Sequence, residues 1–138
     1  MTDVLVTCPM NLWTAWIAEG DAAGDPSTGE QWGFYTYGCR PDIQPGERVY
    51  VVAHGRLRGY APLVRLAWDL DGIGPTNLAR LAFVRAGGAV AVTIPDMITG
   101  FRGWRYRRWP REAELPFPDW KTAGVPVARP RSIARSGP

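Results

Sequence analysis

Catalytic motifs are what this chain has least of. Its 138 residues include one histidine, His54, and two cysteines, Cys8 and Cys39. A lone histidine cannot build a histidine-based metal site, and the cysteines lack Cys-x-x-Cys spacing. No metal and no cofactor is therefore expected. Two isolated thiols form no disulfide framework and read as small buried hydrophobes. Ser27, Ser132 and Ser136 stand in loop or tail sequence without a Gly-x-Ser-x-Gly elbow. There is no Gly-x-x-x-x-Gly-Lys phosphate cradle, and Gly72-Ile-Gly74 lacks the rest of a dinucleotide fingerprint. Asp69 and Asp71 are only two carboxylates in one loop, a weak basis for a cation site. No apolar run approaches the roughly 20 residues of a membrane span. The start, with Asp3 and no basic segment, does not read as a signal peptide. The expectation is a soluble, cytoplasmic protein with no membrane partner.

Lysine is nearly absent as well. Lys121 stands alone among 16 basic residues, and the other 15 are arginine. Arginine use of this kind can reflect genome composition. The distribution is harder to dismiss. Residues 1–100 carry 7 basic and 10 acidic groups, net −3, whereas residues 101–138 carry 9 basic and 3 acidic, net +6. Such asymmetry points to an anionic partner near the C-terminal third.

With 16 glycines and 13 prolines, the chain predicts many turns and little helix. Residues 3–8 read as a short strand stopped by Pro9. Asn11 is placed as an N-cap. Leu12, Trp13, Trp16 and Ile17 then give an apolar helical stripe over residues 11–19, with Gly20 as C-cap. Residues 20–31 are a polar loop. Trp32 to Gly38 is aromatic and strand-like. Gln44-Pro-Gly-Glu47 is a turn that leads into an alternating strand, Arg48–Ala53. His54-Gly55-Arg56 is a tight turn, and Leu57–Leu66 returns as a strand bent at Gly59 and Pro62. Asn77–Leu81 reads as one helical turn. Phe83–Arg85 and Ala89–Ile94 read as a hairpin about Gly87-Gly88. Leu115–Trp120 reads as a segment laid over the core. Trp16 and Trp68 are assigned to that core. Residues 1–123 form one domain, and 124–138 a basic, weakly ordered tail. The fold class is α+β, mostly β. About five to seven short strands form a small barrel or curled sheet, with one or two short helices.

The order of elements is similar to that of the PUA-like superfamily, and within it the EVE, ASCH and YTH families. Cys8-Pro9 closes the first strand and a helix and long loop follow. Trp32-Gly33, Gly46-Glu47, Val49–Ala53, His54 and Gly59 then fall in the order of an EVE domain. The similarity covers residues 3–66, with strand content alone over 83–109. The ASCH signature is missing, and the Lys-Ser-Glu-Pro opening of many EVE domains is reduced to Cys8-Pro9. The resemblance implies a PUA-like pseudo-barrel with helices at its openings. It also implies a cleft for RNA, or for a modified base in an aromatic pocket, with Trp32 near that cleft.

The most one-sided stretch is Phe101 to Arg111, with five arginines, four aromatics and no acid. As a strand it sets Arg102, Trp104, Tyr106 and Arg108 on one face. Rings there would stack bases and guanidiniums would meet phosphates. Arg105 and Arg107 lie on the other face with Phe101 and Trp109. The competing reading is a staple, with the aromatics inside and the arginines capping them. Trp13, Trp32 and Tyr35 are candidates for the wall of an aromatic cage, against ordinary core packing. The expected function is a nucleic-acid-binding module, RNA favoured and modified DNA possible, that needs no catalytic residue. One alternative is a small ribonuclease or nucleotide hydrolase of ASCH type with His54 as general base. Another is a protein–protein interaction domain, since arginine and aromatics are also enriched at interfaces.

Overall fold

The computed structural model describes residues 2–10, 13–14, 32–36, 39–69, 80–85 and 89–125. The described residues are mostly β, as expected, and form a curled sheet. Its strands are β1 (Val4–Thr7), β2 (Trp32–Thr36), β3 (Arg48–Ala53), β4 (Arg56–Asp69), β5 (Arg80–Arg85) and β7 (Trp104–Tyr106). Their order in the sheet is β2-β5-β4-β3-β1-β7. Only β1 and β3 run parallel; the other pairs are antiparallel. Two short strands, β6 (Val92–Thr93) and β8 (Leu115–Pro116), pair separately. A 3-10 turn covers Arg111–Ala113.

β1 and β3 are buried on both faces, which is why their sequences are almost continuously apolar. Val4, Val6, Val49, Val51 and Ala53 enter one cluster with Leu81, Phe83, Phe117 and Trp120. Leu5, Tyr50 and Val52 enter a second cluster with Leu57, Val92 and Ile94. Phe101 and Trp109 pack against that second cluster. Val92, Ile94, Ile98, Phe101 and Trp109 therefore cover the second face of the central strands. Arg48–Ala53 is not the half-solvated strand that its alternation implies.

β4 is long because it serves two neighbours in turn. Its first half pairs with β3 and its second half with β5. The pairing slips twice. Val51 and Val52 oppose Gly59 and Leu57, which leaves Arg58 as the extra residue. Leu63 and Arg65 oppose Arg85 and Val84, which leaves Val64. Each bulge adds local twist and curls the sheet. The first also turns Arg58 inward, where it is 0% exposed.

Several expectations are corrected. Among the described residues, the strands expected to form a hairpin about Gly87-Gly88 do not pair with each other. β5 pairs with β2 and β4, while β6 pairs with β8 and Val90 bridges to Tyr60. Burial decides this: Leu81 and Phe83 are needed in the first cluster, Val92 and Ile94 in the second. Arg80 and Leu81, expected to end a helical turn, begin β5. Trp68 is 48% exposed rather than in the core. By that point β4 has run past β3, which last pairs at Pro62, and has only β5 beside it. The helix expected over 11–19, apart from Trp13 and Thr14, and the loop over 20–31 lie outside the described residues, as does Trp16. So do Gly87, Gly88 and all of the tail beyond Val125.

The β3–β4 turn consists of His54 and Gly55, both at positive φ (48° and 75°). Two such residues fit the primed turns that match strand twist. Gly55→Ala is expected to cost about 1 kcal/mol or more in urea unfolding. A Cβ there would also meet the Met97 methyl at 3.1 Å, but that side chain can move and the φ strain cannot be relieved.

Candidate functional site

The arginine-aromatic stretch is held by two carboxylates. Asp3 precedes β1 and its side chain is 0% exposed. Its Oδ1 accepts from the Arg48 N–H at 2.9 Å and from Arg111 Nη2 at 3.0 Å. Its Oδ2 accepts from Arg107 Nε at 2.9 Å and from Arg111 Nε at 3.0 Å. The Arg107 N–H donates to the Asp3 carbonyl at 2.9 Å. Burial alone would raise the Asp3 pKa, but the Arg48 N–H and the Arg111 and Arg107 guanidiniums hold it below its usual value. Arg111 is the two-pronged partner that arginine geometry favours.

Glu114 is the second anchor. Tyr50 Oη donates to its Oε2 at 2.5 Å and Trp109 Nε1 to the same oxygen at 2.9 Å. Arg48 Nη1 reaches Oε1 at 2.9 Å. The Trp109 ring also meets Tyr50 edge-on at 5.4 Å. Burial, and then the hydrogen bond to Glu114, push the Tyr50 phenol up, so it stays protonated.

β7 forms one edge of the six-stranded sheet as described. Trp104 and Tyr106 share a face, their rings T-shaped at 4.8 Å. Trp104 Nε1 donates to the Cys39 carbonyl at 2.7 Å, and the Tyr106 hydroxyl accepts from the Asp42 N–H at 3.0 Å. Trp104 packs partly on the first cluster, whereas Tyr106 keeps an exposed face. Arg105 projects from the opposite face, its guanidinium 4.8 Å from the Phe101 ring centre.

The staple reading therefore holds for part of the stretch. Arg107 and Arg111 clamp Asp3, and Phe101 and Trp109 line the core. Arg102, Arg105 and Arg108 are exposed and form no ion pair among the described residues. Beside Arg105 and Arg108 opens a cavity of about 310 Å³. Leu5, Ile98, Phe101 and Trp109 supply apolar lining, Arg105 and Arg108 the cationic part, and no lining residue is acidic. Met97, 77% exposed, stands at its side.

The remaining sequence candidates lie elsewhere. Trp13 is not a pocket wall: it is 3% exposed, its ring edge-on to Trp120 at 6.0 Å and to His54 at 5.5 Å. Core packing claims it because the first cluster needs a large apolar group where the sheet curls. Trp32 and Tyr35 lie on β2, opposite Arg85 and Ala82 of β5, at the other end of the strand order from β7. Their side chains are outside the described set. His54 sits in the β3–β4 turn with Nε2 buried. Burial, helped by the Arg58 charge, lowers its pKa. The Cys8 thiol is buried and pushed up to about 11, opposed by Arg85, so it is no nucleophile at neutral pH. Among the described residues no three His, Cys, Asp or Glu side chains group as metal ligands.

Sequence reasoning missed Asp3, Met97, Ile98 and Arg58. Asp3 had a signal: an acid directly before a fully apolar strand. Arg58 had none, because its burial depends on a bulge.

No protein-family model, no curated protein and no solved structure matches the chain.

Asp3→Asn is expected to cost about 3 kcal/mol at pH 7, since it removes the charge that several donors converge on. The folded-state pKa is depressed, so the wild-type advantage is full above the unfolded value of 3.8 and is lost as pH falls below it. Urea melts from pH 7 down to pH 2 should therefore show the two proteins converging in acid.

Proposed function

We propose that the chain is a nucleic-acid-binding module of PUA-like type that holds a single strand, RNA in preference, along β7 and the cavity beside it. One observation carries this reading. Two arginines without acidic partners among the described residues, Arg105 and Arg108, line an apolar cavity of about 310 Å³ that has no carboxylate in its lining, and exposed Arg102 lies on the same stretch. Arg102, Arg105 and Arg108 supply the charge that meets phosphates, and guanidinium geometry suits them. Tyr106 presents a ring for a stacked base beside Trp104. The cavity, floored by Phe101 and Trp109, takes a base turned out of the strand, including one enlarged by a modification. Arg107 and Arg111 position the stretch and do not contact the ligand.

The cavity with exposed Met97 at its side also fits a protein surface, as arginine and aromatics do in general. The salt dependence separates the two. Fluorescence anisotropy with labelled RNA and DNA oligomers should give affinities that fall as salt rises. Each of Arg102→Ala, Arg105→Ala and Arg108→Ala should reduce the salt slope by about 1. Tyr106→Ala should weaken binding by about 1–3 kcal/mol if its ring stacks a base. No binding at low salt, or affinity that ignores salt, removes the reading.

A further inference from the structure

Asp3 and Arg58 are oppositely charged, both are buried, and they are treated differently. Asp3 is surrounded by cationic and N–H donors. Arg58 is surrounded by carbonyls and rings. Its Nε donates to the Ala53 carbonyl at 2.9 Å, and its Nη1 to the carbonyls of Trp120 at 3.0 Å and Ala123 at 2.5 Å. Its guanidinium lies 5.3 Å from the Trp13 ring centre and 5.6 Å from that of Phe117. No carboxylate reaches it among the described residues. Burial, and then the charge on Arg56, bring it down to about 10, so it remains a cation at neutral pH. A buried charge without a counter-ion is costly, and proteins ordinarily pair it or give it a ligand.

Arg58 has hydrogen-bonding capacity left. Its Nη2 is buried without a partner, and so is His54 Nε2. Arg56 brings a second guanidinium to the same place. A Cβ at Gly124 would lie 3.7 Å from Arg58 Nη2, 3.8 Å from Arg56 Nε and 3.8 Å from the His54 carbonyl oxygen. Gly124 itself is exposed. Two guanidiniums thus converge just beneath a surface position that has no side chain to cover them. The bulge in β4 is what aims Arg58 there, and bulges characteristically re-aim side chains.

We propose that this end of the β3–β4 hairpin is an oxyanion site, in which a phosphate group enters beside Gly124 and is held by Arg58 Nη2, the Arg56 guanidinium and His54 Nε2. Planar arginine forks match phosphate oxygens, and the surrounding rings keep water from competing. Inorganic phosphate and a nucleoside monophosphate present the same chemistry. The site is separate from the cavity beside β7: Arg58 packs in the first cluster and that cavity opens over the second. It stands whether or not the chain binds a nucleic-acid strand.

The chain's single histidine makes the test direct. Inorganic phosphate and adenosine 5′-monophosphate are titrated separately into the full chain, at constant pH and ionic strength against chloride. The imidazole Hε1 resonance of His54 and the melting temperature are followed. Both should respond saturably to phosphate and not to chloride, the melting temperature rising as for any ligand selective for the folded state. A response to the nucleotide alone makes the natural source a nucleotide, and a response to both shows that the phosphate group suffices. Arg56→Gln, which leaves the core intact, should weaken the response about tenfold, the value of one charged hydrogen bond. Arg58→Gln should abolish it; if that variant does not fold, Arg56→Gln decides alone. A His54 resonance unmoved by both ligands, or a response unchanged in Arg56→Gln, overturns the proposal.

Discussion

A single buried carboxylate sets much of this architecture. Asp3 stands where β1 begins, and the donors around it come from the first residue of β3 and from the segment that follows β7. It therefore aligns the one parallel pair in the sheet with the antiparallel edge strand on the other side of β1. A carboxylate removed from water is tolerable only when its acceptor sites are filled. Here two guanidiniums and an N–H fill them. The geometry that satisfies Asp3 also fixes which way the neighbouring arginines point.

That arrangement divides labour within one short stretch. Alternation along β7 sends Trp104 and Tyr106 to one face and Arg105 to the other. Beyond β7, Arg107 and Arg111 turn inward to the charge at Asp3, and Trp109 turns inward to Glu114. The neutralised arginines are structural, and the exposed ones carry the surface potential. A positive segment of this composition therefore overstates the charge that a partner would meet, because part of it is spent inside the fold.

How much of this is legible in the sequence varies with the range of the interactions. The β3–β4 hairpin is legible because its determinants are local: a Pro-Gly turn before it, a His-Gly turn within it, and β-branched residues between. The alternation of residues 104–106 is legible for the same reason. The partners of β5 and β6 are not. Gly87-Gly88 offers a local hairpin, but burial in two separate clusters outweighs a two-residue turn. Trp13 and Trp68 look alike as tryptophans, and one lies inside while the other is half outside. What separates them is where the curled sheet ends, which depends on two bulges. Arg58 is the extreme case. A one-residue slip in register carries a cation into the interior, and nothing in the local residue pattern announces it.

The Asp3 clip also has a temporal meaning. Its closing contacts join residues 104 and 108 positions apart. During synthesis β1 emerges before both of its partners, of which one ends at Ala53 and the other begins at Trp104. The hairpin of β3 and β4 is complete well before that second partner exists. β1 must therefore wait for its β7 partner until residues 104–106 are made, and loop-closure entropy delays that pairing further. β1 is thus made before its partners and completed late. The acidic group ahead of β1 then serves a second purpose, since a charge beside an exposed apolar strand discourages pairing with other chains.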